Sequence, residues 1–226
     1  MKKMFAMVAL AAIASTASAQ AGGGGGMGGM KMDDSFKAVT QEGPTPAGWS
    51  VRPDKATDKP ESVNFVTMGS GMHVTSGMTP AIYWNPANTA SGAYTVSVTL
   101  AARSIPLHDA VGVIWGGADL AGDKQSYDYL LIYGDGQFAV KHRSGTAVHD
   151  VIPKTKNAAI KAADKDGGSA SNNVAVKVAA DSVRFVVNDV QIGAVDAKNP
   201  MMPNAGIYGV RVNHGISVHI ANLAKK

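Results

Sequence analysis

The sequence predicts an all-β fold, a two-sheet antiparallel β-sandwich, and three observations carry that prediction. Apolar and polar residues alternate with a period of two in stretch after stretch. Those stretches recur at spacings near ten residues and are separated by Gly, Asn and Asp. Helical periodicity is confined to residues 158–163, too short to form an element of consequence. Roughly a dozen short strands arranged this way pack best as two facing sheets.

The elements follow in order. Residues 63–68 and 72–75 flank Gly69-Ser70-Gly71, which reads as strand, tight turn, strand. At 94–100, Tyr94, Val96, Val98 and Leu100 share one face and Thr95, Ser97 and Thr99 the other. Residues 173–178, 182–187, 206–212 and 216–220 repeat the period. One apolar and one polar face means antiparallel, half-solvated strands. Gly134-Asp135-Gly136, Ala180-Asp181, Asn188-Asp189 and Asn213-His214-Gly215 supply turn residues that tolerate positive φ.

The N-terminus carries an export signal. Lys2 and Lys3 form a basic n-region, Met4 to Ile13 an apolar h-region, and Ala17-Ser18-Ala19 a signal-peptidase site. The segment is too short to span a bilayer, and no later apolar run is long enough to do so. The division expected is therefore a signal peptide at 1–19, a Gly/Met-rich flexible linker at 20–35 and a sandwich domain at 36–226. A bacterial Sec-type signal implies a periplasmic or secreted protein.

Composition narrows the chemistry. The 226 residues carry 21 Lys+Arg against 17 Asp+Glu, for a formal charge of +4, half of which leaves with Lys2 and Lys3. The remaining basic residues are scattered, which argues against a nucleic-acid partner. The chain has no Cys, so disulfides, thiolate metal sites and a Cys nucleophile are excluded.

In the C-terminal half, the strand Tyr127-Asp128-Tyr129-Leu130-Leu131-Ile132-Tyr133 runs into the hairpin Gly134-Asp135-Gly136-Gln137-Phe138. It is followed by Asn173-Val174-Ala175-Val176, by Phe185-Val186-Val187-Asn188-Asp189, and by Gly206-Ile207-Tyr208-Gly209-Val210. This order of motifs resembles the concanavalin A-like (laminin G-like) jelly roll of bacterial exported proteins. That group includes the domain of unknown function labelled 3-keto-disaccharide hydrolase. The likeness spans roughly residues 48–223 and implies a jelly roll. An activity on carbohydrate is what the family label would imply.

The residues argue against most catalytic readings. A glycosidase needs two carboxylates flanking the bond, yet the Glu residues are only Glu42 and Glu61, and no Glu-x-Asp pair occurs. A uronate lyase would need Tyr129, Lys141, His142 and Arg143 on one face, whereas alternation sends Phe138, Val140 and His142 one way and Lys141 and Arg143 the other. No Gly-x-Ser-x-Gly elbow marks a serine hydrolase. For cofactors the expectation is none. Calcium at Asp164-Lys165-Asp166-Gly167-Gly168 and copper at the thioethers of Met27, Met30 and Met32 are the alternatives.

What remains is aromatic and polar surface. Tyr127 and Tyr129 share a face that Trp115 extends, Trp84 joins from a loop, and His142 supplies a polar reader of hydroxyls. Flat rings with hydrogen-bonding tips suit stacking on a sugar. The leading expectation is an exported, non-catalytic protein that binds a glycan or cell-envelope ligand on its concave sheet through Trp84, Trp115, Tyr127, Tyr129 and His142. The alternatives are a carbohydrate-active enzyme of glycoside-hydrolase type and a structural or assembly protein of the envelope.

Overall fold

The computed structural model describes Val39–Lys226. The expected signal peptide, the expected Gly/Met-rich linker and the first residues of the expected sandwich domain lie outside the described residues.

The described chain is a succession of strands: β1 (Ser50–Pro53), β2 (Val63–Met68), β3 (Gly71–Ser76), β4 (Ala81–Ser91), β5 (Tyr94–Ile105), β6 (Ala110–Ala118) and β7 (Ser126–Tyr133), then β8 (Gln137–Ser144), β9 (Ala147–Lys156), β10 (Gly168–Val178), β11 (Ser182–Val187), β12 (Val190–Asp196), β13 (Ala205–Val212) and β14 (Ser217–Lys225). A single 3-10 turn at Pro60–Ser62 is the described helical element. Residues 158–163 form turns, as Asn157 accepts from the backbone N–H of Ala159 and Ile160 closes back on Asn157.

The strands form two seven-stranded antiparallel sheets. The front sheet has the order β1-β4-β13-β6-β7-β8-β9, and the back sheet β12-β11-β10-β5-β14-β3-β2. The chain therefore belongs to the all-β sandwich class that the alternation predicts. Its core lies between the sheets, where Phe65, Tyr83, Val98, Val113, Trp115, Leu130, Val176, Phe185 and Val210 are almost wholly buried. Trp115 of the front sheet packs on Phe185 of the back sheet with ring centroids 5.8 Å apart.

The turns obey local chemistry. Asn188 and Asp189 both have positive φ, 49° and 67°, which lets two residues reverse the chain between β11 and β12. The Asn188 amide then donates to the carbonyl of Ala159 and to Oδ1 of Asn172, each at 2.8 Å, and so pins the hairpin to the loop before β10. In β4, Asn85-Pro86-Ala87-Asn88 interrupts the ladder: Trp84 pairs with Gly209 and Thr89 with Ile207. A Pro without an N–H is accommodated in that bulge.

The two outer faces differ. On the back sheet Thr95, Ser97, Thr99, Asn173, Lys177 and Arg184 point outward, the ordinary polar face of a half-solvated sheet. On the front sheet the outward positions of β4, β6 and β7 are Ile82, Trp84, Ile114, Tyr127, Tyr129 and Leu131, all buried. β6 is buried from Ala110 to Gly117 on both sides.

Candidate functional site

The front outer face is an aromatic floor crossed by charge. Antiparallel register sets Tyr127 opposite Arg143 and Tyr129 opposite Lys141, so these four side chains share that face. Register also puts Arg211 of β13 beside Gly112 of β6, and the glycine leaves the face low there. A Cβ at Gly112 would meet the carbonyl oxygen of Leu130 at 1.8 Å, so no other residue fits without moving a backbone strand.

Arg211 is the centre of the arrangement. It is nearly buried, and its two terminal nitrogens grip Asp54 at 2.8 and 2.5 Å. Its Nη1 also donates to the Tyr127 hydroxyl at 3.3 Å, and the guanidinium lies 5.1 Å from the centroid of the Tyr129 ring. Arg143 approaches the same carboxylate from β8, with Nη1 3.4 Å from Asp54 Oδ1 and its Nε donating to the Gly145 carbonyl. Burial pushes the Asp54 carboxyl up, but the hydrogen bond and charge of Arg211, with Arg143, outweigh it and hold the group below the ordinary carboxylate range. Burial lifts the Tyr129 hydroxyl to about 12. The tyrosines are neutral hydrogen-bonding groups at any physiological pH.

Beside this cluster lies a cleft of about 470 Å³. Its walls come from β1 and the following loop (Arg52, Asp54, Lys55, Asp58), the β6–β7 loop (Asp123, Gln125) and the β8–β9 turn (Arg143, Thr146). Arg52 holds the β6–β7 loop in place by donating to the carbonyls of Leu120 and Gly122 at 2.9 and 2.5 Å. Leu120 in turn packs into the aromatic floor. At the far end of the floor Tyr133 is half-buried under the Lys154 ammonium, 4.0 Å from its ring centroid. A smaller depression of about 230 Å³ on the back sheet is lined by Ser97, Thr99, Asn173, Asp189 and Asn222.

The structure divides the residues that the sequence groups as a site. Tyr127 and Tyr129 do lie on one outer face, and Trp84 joins them there, from within β4 and not from a loop. Trp115 does not. It pairs with Asp128 across β6 and β7, so its ring is on the inner face and fully buried against Phe185. His142 is also turned inward, sharing its face with Val140 and Phe138, and its Nδ1 meets Asp128 Oδ1 at 2.8 Å. Burial pushes Asp128 up to about 8. Burial, together with neighbouring His149, pulls His142 down. Both groups are thereby drawn toward their uncharged forms.

Asp54, Arg211 and Arg143 are the site residues that sequence reasoning missed. Asp54 and Arg211 are 157 residues apart, and only strand pairing makes them neighbours. A usable signal existed in Arg211 itself, a charge set inside the apolar stretch 206–212. The acidic loop considered for calcium holds the fold together locally, since Asp166 accepts the backbone N–H of Leu107 at 2.7 Å. Asp135, at the β7–β8 turn, caps the N–H of Gln137 and pairs with Lys154.

No protein-family pattern matches the sequence, and no curated protein matches it. Solved structures do. The chain is similar to the carbohydrate-binding module CBM66 from Bacillus subtilis, with a TM-score of 0.59 and 11% identity over 81% of this chain and 99% of that one. It is also similar to a Bacillus subtilis protein of unknown function with a galectin-like fold, with a TM-score of 0.52 and 12% identity over 78% of this chain and 88% of that one. A third similar structure is a Parabacteroides distasonis protein named as a glycosyl hydrolase, with a TM-score of 0.51 and 12% identity over 78% and 98% of the two chains. At these identities the likeness shows the fold alone, a jelly-roll β-sandwich, and the similar structures include one named as a binding module and one named as a glycosyl hydrolase.

Proposed function

We propose that this chain is an exported, non-catalytic glycan-binding protein that takes its ligand in the cleft beside Arg211, Asp54 and Arg143. The observation carrying this reading is the cleft itself, about 470 Å³ of space against a fixed donor–acceptor set. Arg143 lines the cleft and its Nη2 has no hydrogen-bond partner among the described residues, so it can read a sugar hydroxyl while Arg211 fixes the Asp54 carboxylate beside it. The similarity to a carbohydrate-binding module supports the same assignment. The likeness to the domain labelled 3-keto-disaccharide hydrolase is, on this reading, one of scaffold.

The non-catalytic part is supported by the state of Asp54, one of three carboxylates on the cleft walls with Asp58 and Asp123. A general acid needs a carboxyl raised toward neutral pH, whereas Asp54 is lowered and gripped by Arg211. It acts as an ion-pair partner that orients the arginines. A cleft also separates this reading from a purely structural envelope role, which needs an exposed apolar patch. Among the described residues the large exposed apolar side chains are Met78 in the β3–β4 loop, Val148 on β9 and Val190 on β12, each on a different segment.

The test is a glycan-array screen followed by a reducing-sugar assay on each hit. Binding without release of reducing ends is expected. Release of reducing ends from a bound glycan refutes the non-catalytic assignment, and silence across the array refutes the glycan.

A further inference from the structure

On the inner face of the front sheet, at its β9 edge, three side chains form a constellation the cleft does not use. Asp128 on β7 is fully buried, and its Oδ1 lies 2.8 Å from Nδ1 of His142 on β8. His149 on β9 is the direct cross-strand partner of His142. The two imidazoles are nearly parallel, with an interplanar angle of 28° and centroids 6.4 Å apart. His149 is exposed, and the His142 side chain retains 13% of its accessibility.

We propose that His142 and His149 form a binding site for a divalent transition-metal ion of the imidazole-preferring class, with Asp128 as the positioning residue behind it. A neutral imidazole carries one proton and one lone pair, and the nitrogen engaged by the protein decides which is offered outward. Asp128 engages Nδ1, so Nε2 is the nitrogen that faces out, and a metal there requires the tautomer in which Nδ1 carries the proton and donates it to the Asp128 carboxylate. Nε2 makes no hydrogen bond to any described residue. A buried carboxyl behind the ring of a histidine is the recurrent way proteins fix a ligand's orientation and raise its basicity.

The second ligand needs freedom to adjust, because two nitrogens must come within coordination distance of one ion, at about 2.0–2.1 Å each. His149 has that freedom on its exposed edge strand, while His142 is held by its partner. Among the described residues no group of three or more His, Asp, Glu or Cys is arranged for a metal. The site is therefore a two-imidazole chelate with water filling the remaining positions. Such a donor set favours Ni²⁺, Cu²⁺ and Zn²⁺ over the oxygen-seeking Ca²⁺ and Mg²⁺. Along the chain the ligands are seven residues apart, and only the β8–β9 register brings them together, so no sequence spacing announces them.

Two other histidine groupings serve as controls. His73 and His219 face each other on the back sheet, and His73 Nε2 is taken by Ser217 at 3.1 Å. His108 and His214 both contact the Asp109 carboxylate. The experiment is a calorimetric titration of the full chain with Ni²⁺ and, separately, Zn²⁺. It compares wild type with His149→Ala, Asp128→Asn and the control His219→Ala. One equivalent of metal is expected for wild type and for His219→Ala. His149→Ala should weaken binding at least tenfold without a change in thermal midpoint, because its side chain is exposed. Asp128→Asn should weaken it about tenfold, within the range seen for such outer partners. Its ¹⁵N spectrum should show the proton of His142 redistributed between Nδ1 and Nε2, which a merely structural role would not move. Equal binding by wild type and His149→Ala, or no binding by wild type, overturns the proposal.

Discussion

Removing Asp54 should unfold the front face from its centre. Arg211 is nearly buried and commits both terminal nitrogens to that carboxylate, so Asp54→Ala leaves a guanidinium in a low-dielectric site with the Tyr127 hydroxyl as its remaining hydrogen-bond partner and the Tyr129 ring 5.1 Å away. Breaking a buried pair by deleting one partner costs about 3–5 kcal/mol. Asp54 keeps 22% of its side-chain accessibility, which admits water and places the expected loss near the lower end, about 3 kcal/mol. For a domain of this size each kcal/mol moves the thermal midpoint by roughly 2–4 °C, so a fall of about 6–12 °C is expected by calorimetry or circular dichroism. The double variant Asp54→Ala/Arg211→Met removes both charges and should recover most of the loss, since a buried pair replaced by apolar groups is often neutral. A midpoint within about 2 °C of wild type for Asp54→Ala alone, less than 1 kcal/mol is worth, or a double variant worse than the single, would refute the claim that Asp54 exists to satisfy Arg211.

Other outcomes follow from the same geometry. The Asp54 carboxyl is lowered in the folded state, so its contribution is complete above about pH 4 and is lost as pH falls through the depressed folded value. Acid unfolding of the wild type should therefore be steeper below about pH 4 than that of the double variant, as followed by far-UV circular dichroism. Asn188→Ala loses three hydrogen bonds, two donated by the amide and one accepted from the Asn173 N–H, places Ala at a φ of 49°, and should cost about 1–3 kcal/mol in urea unfolding. Gly112→Ala should abolish soluble folded protein, because the new methyl would sit on the Leu130 backbone. Tyr129→Ala should lower stability by about 3–5 kcal/mol, as expected for deleting a buried ring. An unchanged midpoint there would show that the ring is surface after all.

That last outcome marks where sequence reading meets its limit. Alternation told the faces of β5, β10 and β11 correctly, because on the back sheet one side is solvent and polarity reports it directly. The turn at Asn188-Asp189 was legible for an equally local reason, the need for positive φ at two successive residues. On β6 and β7 the rule lost its meaning. Both faces are buried there, so Trp115 and Tyr129 look alike in sequence although one lies between the sheets and the other on the outer floor. The aromatic residues were thus visible as a group, but their division between floor and core was not. The Arg211–Asp54–Arg143 cluster and the His142–His149 pair depend on register between distant or adjacent strands, which no single strand encodes.

The central claim is that ligand meets the front face, at the cleft beside Arg143. The most direct measurement is the affinity of Arg143→Met for a glycan bound by wild type, set against Asn222→Ala in the depression of the back sheet. Arg143 has one long contact to Asp54 and one backbone carbonyl partner, so its replacement should leave the thermal midpoint within a few degrees. At least tenfold weaker binding is predicted for Arg143→Met, the loss of about one charged hydrogen bond, with unchanged binding for Asn222→Ala. The reverse pattern, with Arg143→Met binding as wild type and Asn222→Ala impaired, would contradict the claim.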